Sequence, residues 1–469
     1  MGKYDTIAAI ATGMTDSGIG IIRISGENAV NVGNGLFQSP SRKKILCNAE
    51  SHRLYYGFAV DEEKNDVIDE VMAVVMKAPK SYTGEDIVEI QCHGGVLVMR
   101  KILTTVLKCG ARLAEPGEFT KRAFLNGRMD LSRAEAVMDV ISSQNEAALS
   151  ASVKQLRGAL SDQVRKLREE ILYEIAFIES ALDDPEHMSL DGYPEKLYEK
   201  IVHLADEIGK LIAGADDGRL IKEGINTVIV GKPNAVKSSF LNCLLGEERA
   251  IVTEIAGTTR DVLQDTVRLG NINLNIVDTA GIRQTQDKVE KIGVEKARKY
   301  AQDADLIVYV VDTSIALDEN DSEIISLIEN KNIIVLMNKN DLVQAVTQEE
   351  VEKLFQGKFV GKKKPVVLKI SAKVGEGMED FEHAVKDLFF HGEIGSSNEV
   401  LITNLRHKEA LQESFDSLML VKGSIETGMP EDFYSIDLMN AYASLGRIIG
   451  EEINDDLVDE IFSKFCMGK

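Results

Sequence analysis

The chain has 469 residues, a formal net charge of −22, 44% hydrophobic and 28% charged residues, and no tryptophan. Domains usually run roughly 100–200 residues, so this length excludes a single compact core. The acidic balance excludes a broad basic surface for nucleic acid and leaves a local patch or a basic partner to hold any RNA.

No apolar run approaches the ~18–20 residues of a membrane span, and the stretch from Met1 to Thr6 lacks the apolar core of a signal peptide. It does match the loose myristoylation pattern M-G-x-x-x-S/T. A β-like run follows at once, which is the plainer reading. The five cysteines, Cys47, Cys92, Cys109, Cys243 and Cys466, are scattered and never paired as C-x-x-C. Such spacing indicates neither zinc nor a disulfide framework and suits a reducing, cytoplasmic location.

Residues 1–118 read as mixed α and β. Ile19–Ile24 and Val71–Met76 have the character of strands, and Gly94–Leu107 that of a helix. Proline is then absent between Pro116 and Pro185, while Leu156, Leu160, Val164, Leu167, Ile171, Ile175, Ile178 and Leu182 recur at steps of three and four. That period predicts one apolar face of a long bundle helix. A second helical stretch, Pro194–Ala213, ends at Gly214-Ala215-Asp216-Asp217-Gly218.

From about Ile221 short apolar runs alternate with helical patterns: Val228–Val230, Leu274–Val277, Leu306–Val311, Ile333–Met337 and Val366–Ile370. This alternation predicts βα units around a mainly parallel sheet. It stops at a linker, 391–398, and the chain is helical from Leu401 onward. Lys362-Lys363-Lys364 reads as a solvated loop. The simplest architecture is a nucleotide-binding α/β domain inserted into an all-helical one, with boundaries at 1–118, 119–220, 221–390 and 391–469.

The first α/β run ends in Gly231-Lys232-Pro233-Asn234-Ala235-Val236-Lys237-Ser238. The phosphate-binding loop requires G-x-x-x-x-G-K-S/T, and Val236 stands in place of the second glycine. A strand before and a helix after supply the expected context. Backbone N–H groups face the phosphates, Lys237 reaches the β- and γ-phosphates, and Ser238 ligates Mg²⁺. Four companions follow in order. Gly257-Thr258-Thr259-Arg260-Asp261 offers a threonine, Thr259, to close on Mg²⁺. Asp278-Thr279-Ala280-Gly281 serves the Mg²⁺ shell and the γ-phosphate. Asn338-Lys339-Asn340-Asp341 accepts the N1 and N2 donors of guanine. Ser371-Ala372-Lys373 supports the base. With Ser239 and Thr253, these residues form the expected GTP site. The set resembles the guanine-nucleotide GTPases. Ile282 follows Gly281, where Ras-like enzymes carry a water-orienting glutamine, so another group must orient water here.

The two ends of the sequence carry a closer resemblance. Asp5–Thr12, Gly18–Gly26, Thr83-Gly84-Glu85-Asp86, His93-Gly94-Gly95, Pro116–Phe119, Arg122–Gly127 and Phe465-Cys466-Met467-Gly468-Lys469 are similar to the tRNA-modification GTPase family MnmE, also called TrmE. The similarity spans essentially the whole chain. It implies a multidomain fold: an α+β folate-binding N-terminal domain that dimerises, an all-α helical domain, and an inserted α/β P-loop GTPase domain of Ras-like type. It further implies an FAD-dependent partner of the MnmG (GidA) type in a heterotetramer or larger complex. With that partner, the family adds an aminomethyl-type group at C5 of the wobble uridine of tRNA. The one-carbon unit comes from a tetrahydrofolate derivative, the 5-formyl or methylene form.

In that family K⁺ replaces the missing glutamine and arginine finger, so the resemblance places K⁺ at Asn234, Thr253, Ile255 and Thr258, and the water-orienting acid at Glu290. It places folate at Arg23, Glu89, Arg128 and Lys469. A lysine is found in relatives where Arg128 stands. Cys466 is read equally as a reactive thiol or a packing one. Residues 13–17, Gly-Met-Thr-Asp-Ser, depart from the family's Pro- and Gly-rich loop. A glycine at position 236 would permit positive φ. Two alternatives stand beside this reading: a GTPase-like scaffold weakened by Val236, and a ribosome-assembly GTPase sharing the nucleotide motifs.

Overall fold

The computed structural model describes residues 5–61, 66–184, 186–187, 190–232, 237–244, 264–277, 302–328, 331–356, 364–390, 400–451, 453, 455–466 and 468. Contacts divide the chain into two units. One comprises 1–138, 155–201 and 416–469, and the other 139–154 and 202–415.

The first unit opens with β1 (Ile7–Ile10), β2 (Ser17–Ser25), α1 (Ala29–Leu36), β3 (Phe37–Gln38), β4 (Leu54–Asp61), β5 (Asp66–Met76), β6 (Ile87–Gly94), α2 (Val96–Lys108) and β7 (Arg112–Leu113). The strands form one sheet in the order β3-β4-β5-β6-β2-β1-β7. All neighbours pair antiparallel except β1 with β7. Alternation fixes the faces. Ile22, Ile24, Ala73, Val75, Val88 and Ile90 point to one side and bury against Val32 and Leu36 of α1 and Met99, Ile102 and Val106 of α2. Arg23, Val74, Glu89 and Gln91 fall on the opposite face, where each is only half-buried.

Helices follow: α3 (Glu118–Leu125), α4 (Leu131–Ser142), α5 (Glu146–Leu156), α6 (Ala159–Asp183), α7 (Tyr193–Ala213) and α8 (Ala215–Glu223). The expected long helix is therefore broken. Gly158 has φ +101° and separates α5 from α6, because a left-handed residue cannot continue a right-handed helix. The stripe holds from Leu160 to Ile178, all buried, but Leu182 is 42% exposed. The second expected helix, Pro194–Ala213, forms as α7 and stops at Ala213. Residues 215–218, read as its end, instead begin a separate helix, α8, which ends at Gly224 with φ +83°.

The second unit holds β8 (Ile225–Val230), α9 (Lys237–Leu244), β9 (Gln264–Leu269), β10 (Ile272–Val277), β11 (Leu306–Asp312), α10 (Glu319–Leu327), β12 (Asn332–Asn338), α11 (Gln348–Leu354), β13 (Val366–Lys369) and α12 (Met378–Phe390). The sheet order is β13-β12-β11-β8-β10-β9. Each expected run forms a parallel strand, and β9 adds an antiparallel edge. Phe240 of α9 meets Phe381 of α12 edge-on at 5.4 Å on one face. Ile325 of α10 and Val351 of α11 bury against Tyr309 and Val335 on the other. The chain closes with α13 (Leu405–Glu426), α14 (Glu431–Ile449) and α15 (Asp455–Ser463). In the first unit α14 packs along α6. Among the described residues no helix is long and apolar enough to cross a membrane.

Candidate functional site

In the second unit β8, β10, β11, β12 and β13 run parallel, so their carboxyl ends lie along one edge of the sheet. From β8 the chain first builds the β10 side and then crosses to β11. Such a reversal opens a crevice at the strand ends, the usual ligand position in open α/β sheets. Gly231 leaves β8 at this point. A Cβ there would stand 2.5 Å from the Val310 carbonyl oxygen, so only glycine lets the chain pass β11. Helix α9 begins at Lys237, and the first turn of any helix has N–H groups without intrahelical partners, which suit an anion. Ser239 is half-buried on its first turn.

Two strands from β8 in the sheet, β12 ends in Asn338, which is 1% exposed. Its Oδ1 accepts from the Ala372 amide at 3.0 Å. Its backbone carbonyl accepts from the Thr313 hydroxyl at 2.8 Å. Its Nδ2 is buried and has no partner among the described residues. An orphaned buried donor is costly and invites an acceptor. Lys339 follows with φ +67°, and its ammonium contacts Asp312 at 2.5 Å. Burial opposes the charge of Asp312, but Lys339 and Ser314 outweigh it and hold the carboxyl below its usual range. The Ser371 hydroxyl donates to Asp341 Oδ1 at 2.8 Å, leaving the exposed carboxylate its other oxygen. Lys373 is exposed nearby in sequence. This corner thus presents one orphaned amide donor and one open carboxylate oxygen. Guanine offers the matching acceptor at its imidazole edge and donors at N1 and N2.

Asn234, Ala235, Val236, Thr253, Ile255, Thr258, Thr259, Asp278, Thr279, Ala280, Gly281 and Glu290 lie outside the described residues, as do the side chains of Lys237 and Ser238. Asp312 was not singled out from the sequence. Its position at the end of a strand, in register with Asn338, is a signal that only the β11–β12 pairing makes readable.

A second constellation lies in the first unit. Arg23 on β2 and Glu89 on β6 are cross-strand partners, and their side chains meet at 2.7 Å, each 15% exposed. The Arg23 guanidinium lies 5.2 Å from the Tyr82 ring and 5.7 Å from Phe119. Arg128 approaches the same Tyr82 ring at 5.1 Å. Arg23 also donates to the Gly468 carbonyl at 3.3 Å. Lys469 lies outside the described residues, but its neighbour Gly468 has φ +89° and sits where a Cβ would strike the Ile10 backbone. Cys466 is exposed, and its carbonyl accepts from the Gly117 amide at 3.3 Å. Cys92, by contrast, is buried, and desolvation pushes its thiol up to about 11.

Tyr82 and Phe119 were missed in the sequence. Their neighbours in the motifs carry the reason they are fixed. Tyr82 Oη and Thr120 Oγ1 share a hydrogen bond of 2.9 Å. Arg112 pairs with Asp5 and Glu118, both at 2.7 Å, and Arg122 pairs with Asp5 at 2.6 Å and Glu118 at 3.0 Å. This network pins α3 to β1 and β7. Hydrogen bonds from Arg112 lead the effects that hold Asp5 below its usual range. The two guanidinium groups, one carboxylate and an aromatic ring suit a flat heterocycle bearing carboxylates, which is the chemistry of a folate.

Comparisons with known proteins agree over both units. Residues 6–128 match the family model described as GTP-binding protein TrmE N-terminus. Residues 131–466 match the one described as MnmE helical domain. A tRNA modification GTPase MnmE of Lachnoclostridium phytofermentans is 54% identical over 467 residues, covering 100% of each chain. One from Carboxydothermus hydrogenoformans is 45% identical over 467 residues, covering 99% of each. A solved structure of an Aquifex aeolicus Era variant bound to GDP and aluminium fluoride is 27% identical over 42% of this chain and 67% of that one, with a TM-score of 0.27, too loose a superposition to argue from.

Proposed function

This chain belongs to the MnmE (TrmE) family of tRNA modification GTPases, and on that footing we propose that it couples GTP hydrolysis to modification of C5 of the wobble uridine in tRNA. The observation that carries the nucleotide reading is the corner at the ends of β12 and β13. There, Asn338 keeps a buried amide donor without a partner and Asp341 keeps an open carboxylate oxygen. Adenine lacks the N1 and N2 donors that such a carboxylate accepts.

In this reading Ser238 and Thr259 would hold Mg²⁺, and Asn234, Thr253, Ile255 and Thr258 would hold K⁺; bound there, the two cations would supply positive charge against the charge developing on the transferred phosphoryl group. Lys237 and the N-terminal amides of α9 bind the phosphates, and Glu290 orients the attacking water. Arg23, Glu89 and Arg128, arranged around Tyr82, bind a tetrahydrofolate derivative that delivers the one-carbon unit. The reading includes a homodimer through the N-terminal domain and a complex with an FAD-dependent partner. Because the chain carries a net charge of −22, that partner provides much of the grip on tRNA. Domain boundaries near 118, 220 and 390 and a cytoplasmic location belong to the same proposal.

The test is phosphate release from GTP in K⁺ against Na⁺ at equal ionic strength. Stimulation by K⁺ is expected. Equal rates in both salts overturn the K⁺ assignment, and no release in either overturns the GTPase reading. A gel shift of tRNA with this chain alone is expected to be weak and to strengthen with the partner.

A further inference from the structure

Asp312 closes β11 directly opposite Asn338, the last residue of β12. Its side chain is 9% exposed, and both carboxylate oxygens are committed to the protein. Oδ1 accepts from the Ser314 amide at 3.0 Å and from the Ser314 hydroxyl at 2.6 Å. Oδ2 takes the Lys339 ammonium at 2.5 Å. None of the roles above uses this carboxylate.

What it holds is the turn that carries Asp341. Lys339 opens that turn in the left-handed region, at φ +67°. A residue with a Cβ adopts such a conformation when its surroundings impose it. The Leu342 amide donates to the Lys339 carbonyl at 3.0 Å, and the Ala345 amide returns to the Thr313 carbonyl at 2.7 Å. The end of β11 thus grips the segment 339–345 twice, through the Asp312–Lys339 ion pair at its start and through Thr313 at its finish. On the β13 side the Asn340 amide donates to the Ile370 carbonyl at 3.1 Å, and the Ser371 hydroxyl donates to Asp341. Asp341 stands exposed between these anchors. A Lys339 that leaves the left-handed region redirects the chain two residues before that carboxylate.

We propose that Asp312 is a positioning residue for guanine selectivity: by holding Lys339, it sets where the Asp341 carboxylate stands. This rests on the reading of Asn338–Asp341 as the guanine corner. A base gains most from an acceptor already in place, since binding then has no turn to order. An acceptor that serves both N1 and N2 must be right in distance and in direction. Hypoxanthine keeps the N1 donor and O6 but lacks the N2 amino group. Loss of the Asp312 tether therefore costs guanine more than hypoxanthine, whereas a general loosening of the fold costs both alike.

The test uses the full chain with GTP and inosine triphosphate, and the variants Asp312→Asn, Lys339→Met and the two combined. Asp312→Asn keeps an oxygen for Ser314 and removes the charge that holds Lys339. It is expected to weaken GTP about tenfold and inosine triphosphate about threefold, so that discrimination between them shrinks about threefold. The combined variant should discriminate no worse than Lys339→Met alone, because both changes break one contact. Equal weakening of the two nucleotides in Asp312→Asn overturns the inference, as does unchanged affinity for both in the folded variant. Discrimination lower in the combined variant than in Lys339→Met also overturns it. If Asp312→Asn does not fold, Lys339→Met decides: the same loss of discrimination is expected, and a wild-type ratio overturns the inference. A wild-type chain that binds neither nucleotide overturns the functional reading itself, an outcome distinct from wild-type binding with unaltered variants.

Discussion

The Ser371 hydroxyl donates to Asp341 at 2.8 Å, so the turn after β13 orients the carboxylate that follows β12. One carboxylate oxygen is thereby committed to the protein and the other is free for a ligand. Asp341→Asn replaces that acceptor by an amide that can donate. GTP affinity should fall by about a hundredfold, while xanthosine triphosphate, which carries an oxygen in place of the guanine amino group, should gain. Titration with both nucleotides checks this, and an Asn variant that still prefers GTP refutes the assignment.

Gly231 passes β11 so closely that a methyl group would stand 2.5 Å from the Val310 carbonyl. Gly231→Ala must push β8 and β11 apart or deform the loop, at a cost of about 1–3 kcal/mol. Thermal unfolding should come at lower temperature, and nucleotide affinity should fall with it. Unaltered affinity in a destabilised variant would separate the wedge from the site.

Tyr82 carries two guanidinium groups, Arg23 at 5.2 Å and Arg128 at 5.1 Å. Tyr82→Phe keeps the ring and loses the hydroxyl that shares a hydrogen bond with Thr120. Tyr82→Leu loses the ring. Binding of 5-formyltetrahydrofolate, followed by its absorbance or by calorimetry, should weaken about five- to tenfold in the Leu variant and less than about threefold in the Phe variant. Equal losses in both would mean that the hydroxyl, and not the ring, fixes the site.

The Asp5, Glu118, Arg112 and Arg122 network gives the first unit an acid-sensitive clamp. Burial works against the Glu118 charge, yet Arg112, the Glu115 amide and Arg122 outweigh it, so its folded pKa lies below the ordinary 4.5. Asp5 likewise lies below 3.8. Folded values lower than unfolded ones mean that the stabilisation is complete above pH 4.5 and is lost as pH falls through that value and on through the folded ones. Glu118→Gln should lower the urea midpoint at pH 7 and flatten its acid decline. A midpoint running parallel to wild type from pH 7 to pH 3 would contradict the clamp.

Val236 lies outside the described residues, and its effect is a matter for measurement. A loop of this kind favours glycine at that position because positive φ strains a β-branched side chain by about 1–3 kcal/mol. Val236→Gly should therefore bind GTP about ten- to a hundredfold more tightly. An unchanged dissociation constant removes the strain argument.

Much of the second unit was legible because each parallel strand is a short apolar run, and all but β11 are followed by a motif. The edge strand β9 was not picked out, although Gly270-Asn271 between Leu269 and Ile272 is a two-residue hairpin signal with Gly270 at φ +60°. The helical stripe from Leu160 onward was legible, but apolar spacing alone ran through Gly158, where φ +101° breaks the helix. Arg23 and Glu89 were reached through motif similarity. Tyr82 and Phe119 were not, since nothing in an isolated aromatic says that a guanidinium will stack on it. Asp312 was invisible for a related reason. It reads as an ordinary strand end until the β11–β12 register brings Lys339, distant in sequence, beside it.

The contact between Arg23 and Gly468 spans 445 positions of sequence. A loop of that size costs more entropy to close than any local pairing, and the contacts inside it must form before the closure is worthwhile. The cluster around Tyr82 is then expected to be among the last features of the first unit to assemble. A ligand that prefers the closed arrangement pulls on that late step by mass action. Ligand binding at the cluster would thus serve as a gauge of how completely the unit has folded.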